Sequence, residues 1–203
     1  MTFIPDARLE SRAATLWRTH ALLPGFDIEA LVDKLQLGVL WEALPEAPQT
    51  VVLGALQPEG PRIVINERHR ERFDANPGLL RFTYAHEVGH WLFHCEDARA
   101  GNLAMFENGR IWCRDGSADP TEIQANRFAS FLLVPTDRLR PLLPSVPWSG
   151  WPHVYKLAEH FAVSPTAMIV RLEQGGWGAR DEAGMPSSLV QRARDDSQLQ
   201  LPM

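Results

Sequence analysis

The chain has 203 residues, 45% of them apolar and 22% charged, the balance of one folded domain with at most a small appendage and a core that needs no disulfides. Twenty basic against 25 acidic side chains leave a net charge of −5, which excludes a general polyanion binder. Two cysteines, Cys95 and Cys113, are too few for a disulfide framework, no apolar stretch approaches the roughly 18 residues of a membrane span, and the first residues lack the marks of a signal peptide, so a cytoplasmic protein is expected.

Residues 6–22 carry helical periodicity in Leu9, Ala13, Leu16 and Trp17, and 27–36 predict a second helix with Asp27 as N-cap. Three β-rich runs follow at 38–44, 50–56 and 62–66, the last two separated by a Gly60-Pro61 turn, and they predict a small antiparallel sheet. The segment 76–94 predicts a helix capped by Asn76 with Pro77 in its first turn. Residues 95–118 read as irregular, and Asp119-Pro120 opens another helix that ends at Val134-Pro135. A proline- and tryptophan-rich strap leads to about residue 152, after which 153–177 look like helix, tight turn, helix. The expected organisation is α+β: residues 1–145 form a domain in which the sheet packs on the helices of 76–94 and 119–135, 146–178 a helix-turn-helix-like appendage, and 179–203 a mostly disordered polar tail.

Three of the seven histidines, His86, His90 and His94, fall within one short stretch. His86-Glu87-Val88-Gly89-His90 has the H-E-x-x-H spacing, which sets two imidazoles one turn apart on one helix face, close enough to share a metal ion, with Glu87 beside them as candidate general base. On a helical wheel Leu79, Phe82, His90 and Phe93 lie within about 40° of His86, so both histidines belong to one inward stripe. Around Glu122, the residues Ala125, Asn126, Ala129 and Leu133 fall within about 60°, which places this acid on a buried stripe as well. A buried carboxylate calls for a cation or a strong hydrogen-bond set, and a metal held by His86 and His90 would supply it. Asn126, one turn on, has an oxygen suited to accept the remaining ring N–H of a ligand histidine. The competing reading makes Glu122 the third residue of a capping box begun by Asp119. His94 lies about 12 Å along the helix axis from His86, too far to join the same ion, and reads as a C-terminal histidine favourable to the helix dipole. Cys95 and Cys113 read as packing residues.

The stretch from Arg81-Phe82-Thr83-Tyr84-Ala85 through His86-Glu87-Val88-Gly89-His90 to Trp91-Leu92-Phe93-His94 resembles the signature of the ImmA/IrrE family of bacterial and phage metallopeptidases. The strand Ile63-Val64-Ile65-Asn66 before it, the E-x-x-A-N-x-F-A-x-x-L-L-x-P pattern from Glu122 to Pro135, and the helical unit from Leu157 to Leu172 are similar to that family too, over roughly residues 5–175. The resemblance implies a zincin-like domain in residues 1–145, a thermolysin-like endopeptidase with His86, His90 and Glu122 on Zn²⁺ and Glu87 as catalytic base. It also implies a protein substrate, an XRE-type helix-turn-helix repressor whose loss relieves a mobile element, a stress regulon or a toxin–antitoxin locus. Asn126 stands where thermolysin-like enzymes carry an Asp.

Two imidazoles and one carboxylate suit Zn²⁺ and accept Mn²⁺ also. Arg114, His153, Tyr155 and His160 have the chemistry to stabilise an oxyanion, and spacing selects none of them. A substrate segment is expected to add as an extended strand along the edge near residues 63–66. The rival reading is a non-catalytic metal-containing module that sequesters a repressor or toxin. Direct DNA binding is disfavoured, because residues 153–177 carry Lys156 and Arg171 against Glu159 and Glu173.

Overall fold

The computed structural model describes residues 3–48, 50–95, 111–114, 119–144 and 148–188. Eight α-helices are described among them: α1 (Asp6–Thr19), α2 (Ile28–Lys34), α3 (Arg70–Ala75), α4 (Pro77–Phe93), α5 (Pro120–Leu133), α6 (Thr136–Leu139), α7 (Trp151–Phe161) and α8 (Pro165–Gln174). The strands are β1 (Gly38–Glu42), β2 (Val52–Gln57), β3 (Arg62–Asn66), β4 (Ile111–Arg114), β5 (Gly178–Arg180) and β6 (Pro186–Ser188). The architecture is mixed α+β, and no described helix is long and apolar enough to cross a membrane.

Helix starts follow local chemistry. The Asp27 side chain accepts from the N–H groups of Glu29 and Ala30, Asn76 accepts from Leu79 N–H with Pro77 next in line, and Asp119 accepts from Thr121 N–H ahead of Pro120. In α1 the buried Leu9, Ala13, Leu16 and Trp17 form one stripe, and Trp17 Nε1–H donates to Leu132 O at 2.7 Å, fastening α1 to the end of α5.

The four main strands lie in the order β1-β3-β2-β4. β2 pairs antiparallel with both β3 and β4, whereas β1 pairs parallel with β3, so the expected all-antiparallel sheet is corrected to a mixed one. The reason is geometric. Successive strands run up, down, up, and the connection of residues 43–51, which contains Pro45 and Pro48, is long enough to put β2 beyond β3 and leave β1 beside it. β3 is consequently internal and not an edge, which removes the expected place for strand addition at 63–66; the edges are β1 and β4. Ile63, Val64 and Ile65 of this central strand are all fully buried, Ile63 and Ile65 in the main core and Val64 in a second cluster with Leu44, Val52 and Ala55.

Two further expectations change. The segment 95–118 contains β4, which reads weakly in sequence because four residues on an edge need no apolar alternation when a partner strand supplies the hydrogen bonds. Residues 179–188, expected to be disordered, contain most of the β5–β6 ribbon, and Ser188 N–H donates to Trp148 O at 2.9 Å while Gly150 N–H donates to Pro186 O at 2.7 Å. Backbone pairing of this kind needs little apolar side-chain area, so composition did not announce it. The rest of the expected tail, 189–203, lies outside the described residues.

Helix α4 runs through the middle of the molecule. Every residue from Thr83 to His90 is buried, so its central turns are covered on all sides rather than along the single stripe the wheel suggested. It packs on α5 on one side and on β2 on another. Gly89 sets the first approach: a Cβ there would stand 3.1 Å from Phe128 Cδ1 and 3.2 Å from Ala125 Cα. A side chain there would press α5 back by a few tenths of an ångström, so the glycine favours the close approach that brings Glu122 within reach of the histidines. Met168, Ile169 and Leu172 of α8 and Val154 and Phe161 of α7 belong to the same core cluster as α1, α4 and α5.

Candidate metal centre

His86 and His90, one turn apart on α4, direct their Nε2 atoms toward Glu122 at the start of α5. His90 Nε2 lies 3.0 Å from Glu122 Oε1, His86 Nε2 lies 3.3 Å from Glu122 Oε2, and the two Nε2 atoms are 2.9 Å apart. One ligand atom from each of the three residues falls within 4.8 Å of the others. All three are buried, as is Glu87. Glu122 therefore faces the histidines, while Asp119 caps the helix through Thr121 N–H.

The protons are arranged to suit a cation. Asn126 Oδ1 lies 2.9 Å from His86 Nδ1, an acceptor placed for a ring N–H at that nitrogen, on the far side of the ring from Glu122. Burial, partly offset by Glu122, lowers the His90 pKa to about 4, which leaves the ring neutral at ordinary pH. Burial also pushes Glu122 upward, but its contacts with His86 and His90 outweigh this and hold the carboxyl at about 2, so it stays ionised. Two imidazoles and a carboxylate, buried and converging, form a donor set that fits a divalent ion of the Zn²⁺ type.

Sequence reasoning placed His86, His90, Glu122 and Asn126 together, and the fold brings them together. It missed the surroundings of His90. His94, the C-cap of α4, is not a wet histidine answering the helix dipole: it is 5% exposed, burial lowers its pKa, and its Nδ1 sits 2.9 Å from His90 Nδ1. Its Nε2 lies 3.1 Å from Gln124 Oε1, on α5 and itself buried. The signal available was the continued i, i+4 spacing from His90 to His94. No periodic signal pointed to Gln124, which lies about 200° around the helix from Glu122.

The candidates for an oxyanion donor do not gain support. Among the described contacts, the His153 ring lies against Trp148, the Tyr155 ring stacks on Trp151, and the His160 ring meets Phe161, all on or beside α7. Arg114 lies at the end of β4. Cys95 is buried in the main core, as expected of a packing residue, and Cys113 lies on β4 opposite Gly54.

No curated protein matches the chain with significance. Among solved structures, the fold is similar to that of a Mycobacterium tuberculosis transcriptional regulator, with a TM-score of 0.54 and 18% identity over 89% of this chain and 54% of that one. The chain thus spans about half the length of that protein. The family model described as the IrrE N-terminal-like domain, Peptidase_M78, matches residues 35–173, which include α4, α5 and all three candidate ligands. The chain belongs to this family of metal-dependent peptidases, which carries a metallopeptidase-type domain.

Proposed function

We propose that the protein is a zinc-dependent endopeptidase that cuts and thereby inactivates a helix-turn-helix repressor of the XRE type. The observation that carries the catalytic part is the buried convergence of His86, His90 and Glu122, with Asn126 Oδ1 against the second ring nitrogen of His86. His86 Nε2, His90 Nε2 and a Glu122 oxygen would hold the ion. A divalent ion in such a set polarises a scissile carbonyl and acidifies a water toward neutral pH.

The chain's own groups do the remaining work. Glu87 follows His86 directly on α4 and is buried, and in this reading its carboxylate takes the proton of the attacking water and passes it to the departing amine. Its burial strengthens that exchange, because no bulk water competes for the proton. Asn126 holds the His86 ring in one tautomer and orientation. With β3 internal, an extended substrate would have to pair along β4 or β1; β4 is the edge beside β2, against which α4 packs.

The family supports a protein substrate, and the repressor as partner rests on the family resemblance. The helices α7 and α8 argue against DNA as the target. Of their two Lys and Arg residues, Arg171 is buried, its guanidinium donating to Val134 O at 2.9 Å and Thr136 Oγ1 at 2.7 Å, and Lys156 alone is exposed.

Glu87→Gln separates catalysis from binding. The variant is expected to keep its Zn²⁺ and fold while an XRE-type repressor incubated with it stays intact and active. Repressor inactivation that survives this substitution would support the sequestering module and sink the peptidase reading.

A further inference from the structure

Each candidate ligand histidine has its second ring nitrogen engaged by α5, but by different routes. His86 reaches Asn126 directly. His90 reaches Gln124 only through His94: Nδ1 to Nδ1 is 2.9 Å, and His94 Nε2 to Gln124 Oε1 is 3.1 Å. Both His94 and Gln124 are 5% exposed, so water is a poor substitute for either partner.

Only two proton orders satisfy this chain when both rings are neutral. In one, His90 donates from Nδ1 to His94 Nδ1, and His94 donates from Nε2 to Gln124 Oε1. In the other, every donor is reversed, His94 Nε2 becomes an acceptor, and Gln124 must present its NH₂. The Gln124 oxygen faces His94 Nε2, the arrangement that the first order satisfies. In that order the His90 Nε2 carries no proton and offers its lone pair to the space between His86 and Glu122.

We infer that His94 and Gln124 are positioning residues, an ordered two-step relay that fixes His90 as the Nδ1–H tautomer and so makes it competent as a ligand. The anchor of the relay, Gln124, lies two residues after the ligand Glu122 on the same helix, so the placement of α5 sets a ligand and both ring tautomers together. The inference rests on the metal-centre reading above and adds to it the way the second histidine is prepared.

The test is Zn²⁺ affinity, read by competition with a chromophoric chelator on the full chain, with thermal unfolding of the chelator-treated proteins as the folding control. His94→Leu removes the acceptor and is expected to weaken Zn²⁺ binding by roughly 10- to 100-fold. His94→Asn puts an amide oxygen where Nδ1 stands and is expected to restore affinity close to wild type, which a role in packing alone would not produce. Gln124→Leu should weaken binding in the wild-type background yet cost nothing further beside His94→Asn, because that variant ends the relay at residue 94. Equal affinity of His94→Leu and wild type, or an Asn variant as weak as the Leu variant, overturns the relay while leaving the metal centre standing. A wild-type chain that takes up no Zn²⁺ overturns both.

Discussion

Gly54 of β2 and Glu87 of α4 are packed so closely that a Cβ on the glycine would come within 3.3 Å of Glu87 Oε1, 2.9 Å of Thr83 Cγ2 and 3.2 Å of Val64 O. The strand backbone thus forms the floor on which the proposed base rests, beside an irregularity in the β2–β4 register between Val52 and Gly54. Gly54→Ala must displace the Thr83 methyl and crowd Val64 O and Glu87 Oε1, disturbing the packing of α4 on the sheet. The expected cost is about 1–3 kcal/mol of stability in a denaturant titration. Peptidase turnover should fall while Zn²⁺ content stays near wild type, since the ligands lie on the α5 side of the helix. A variant with unchanged midpoint and turnover would show that the contact relaxes freely.

The proposed centre would couple metal and fold through the same three side chains. Free Zn²⁺ at about 100 times its dissociation constant should stabilise the protein by about 2.7 kcal/mol over the chelator-treated form, seen as a higher midpoint in calorimetry. Glu122→Gln keeps the shape but removes the charge that sits 3.0 Å from His90 Nε2, so Zn²⁺ should no longer raise its midpoint. Retained stabilisation in that variant would exclude Glu122 as a ligand.

Arg171 joins α8 to the end of α5. Its guanidinium is buried, bonded to Val134 O and Thr136 Oγ1, and lies 4.9 Å from the Phe131 ring centroid and 5.3 Å from that of Trp177. Arg171→Leu should cost about 2–3 kcal/mol, from hydrogen bonds made by a charged group and the acceptors left behind. Zn²⁺ affinity per folded molecule should not change. A loss of affinity without a loss of stability would contradict this assignment.

Glu46 ties the 43–51 connection to its surroundings. Its Oε1 accepts from His69 Nε2 at 2.6 Å and from Val52 N–H at 2.7 Å, and these bonds hold its carboxyl below the ordinary value of 4.5. Because the folded-state value is depressed, the contribution is present above the unfolded value and is lost as pH falls through the folded one. Glu46→Gln should therefore lower stability at neutral pH and flatten its decline below pH 4.5, as followed by urea midpoints across that range. A decline as steep as that of the wild type would assign it to other carboxylates.

The residues that a periodic pattern can carry were legible without coordinates. His86 and His90 declare themselves by i, i+4 spacing, and Glu122 and Asn126 by the same spacing on a second helix, because a helix converts sequence distance directly into a shared face. The caps Asp27, Asn76 and Asp119 were legible for a related reason: they act on N–H groups two or three residues away. Strand order was not. Nothing local to β1 says that it will pair parallel with β3, since that depends on how far the 43–51 connection travels.

The sequence by itself therefore determined the chemistry: two imidazoles, a carboxylate and a neighbouring glutamate, in a spacing that serves one ion. The tertiary structure decided what surrounds them. Gly89 lets α5 approach α4, Gly54 admits the sheet beneath Glu87, and the meeting of α4 with α5 sets Gln124 against His94 and His94 against His90. These contacts join residues on different elements or at a helix end, where no periodicity operates and only the packed distance between backbones fixes which groups touch.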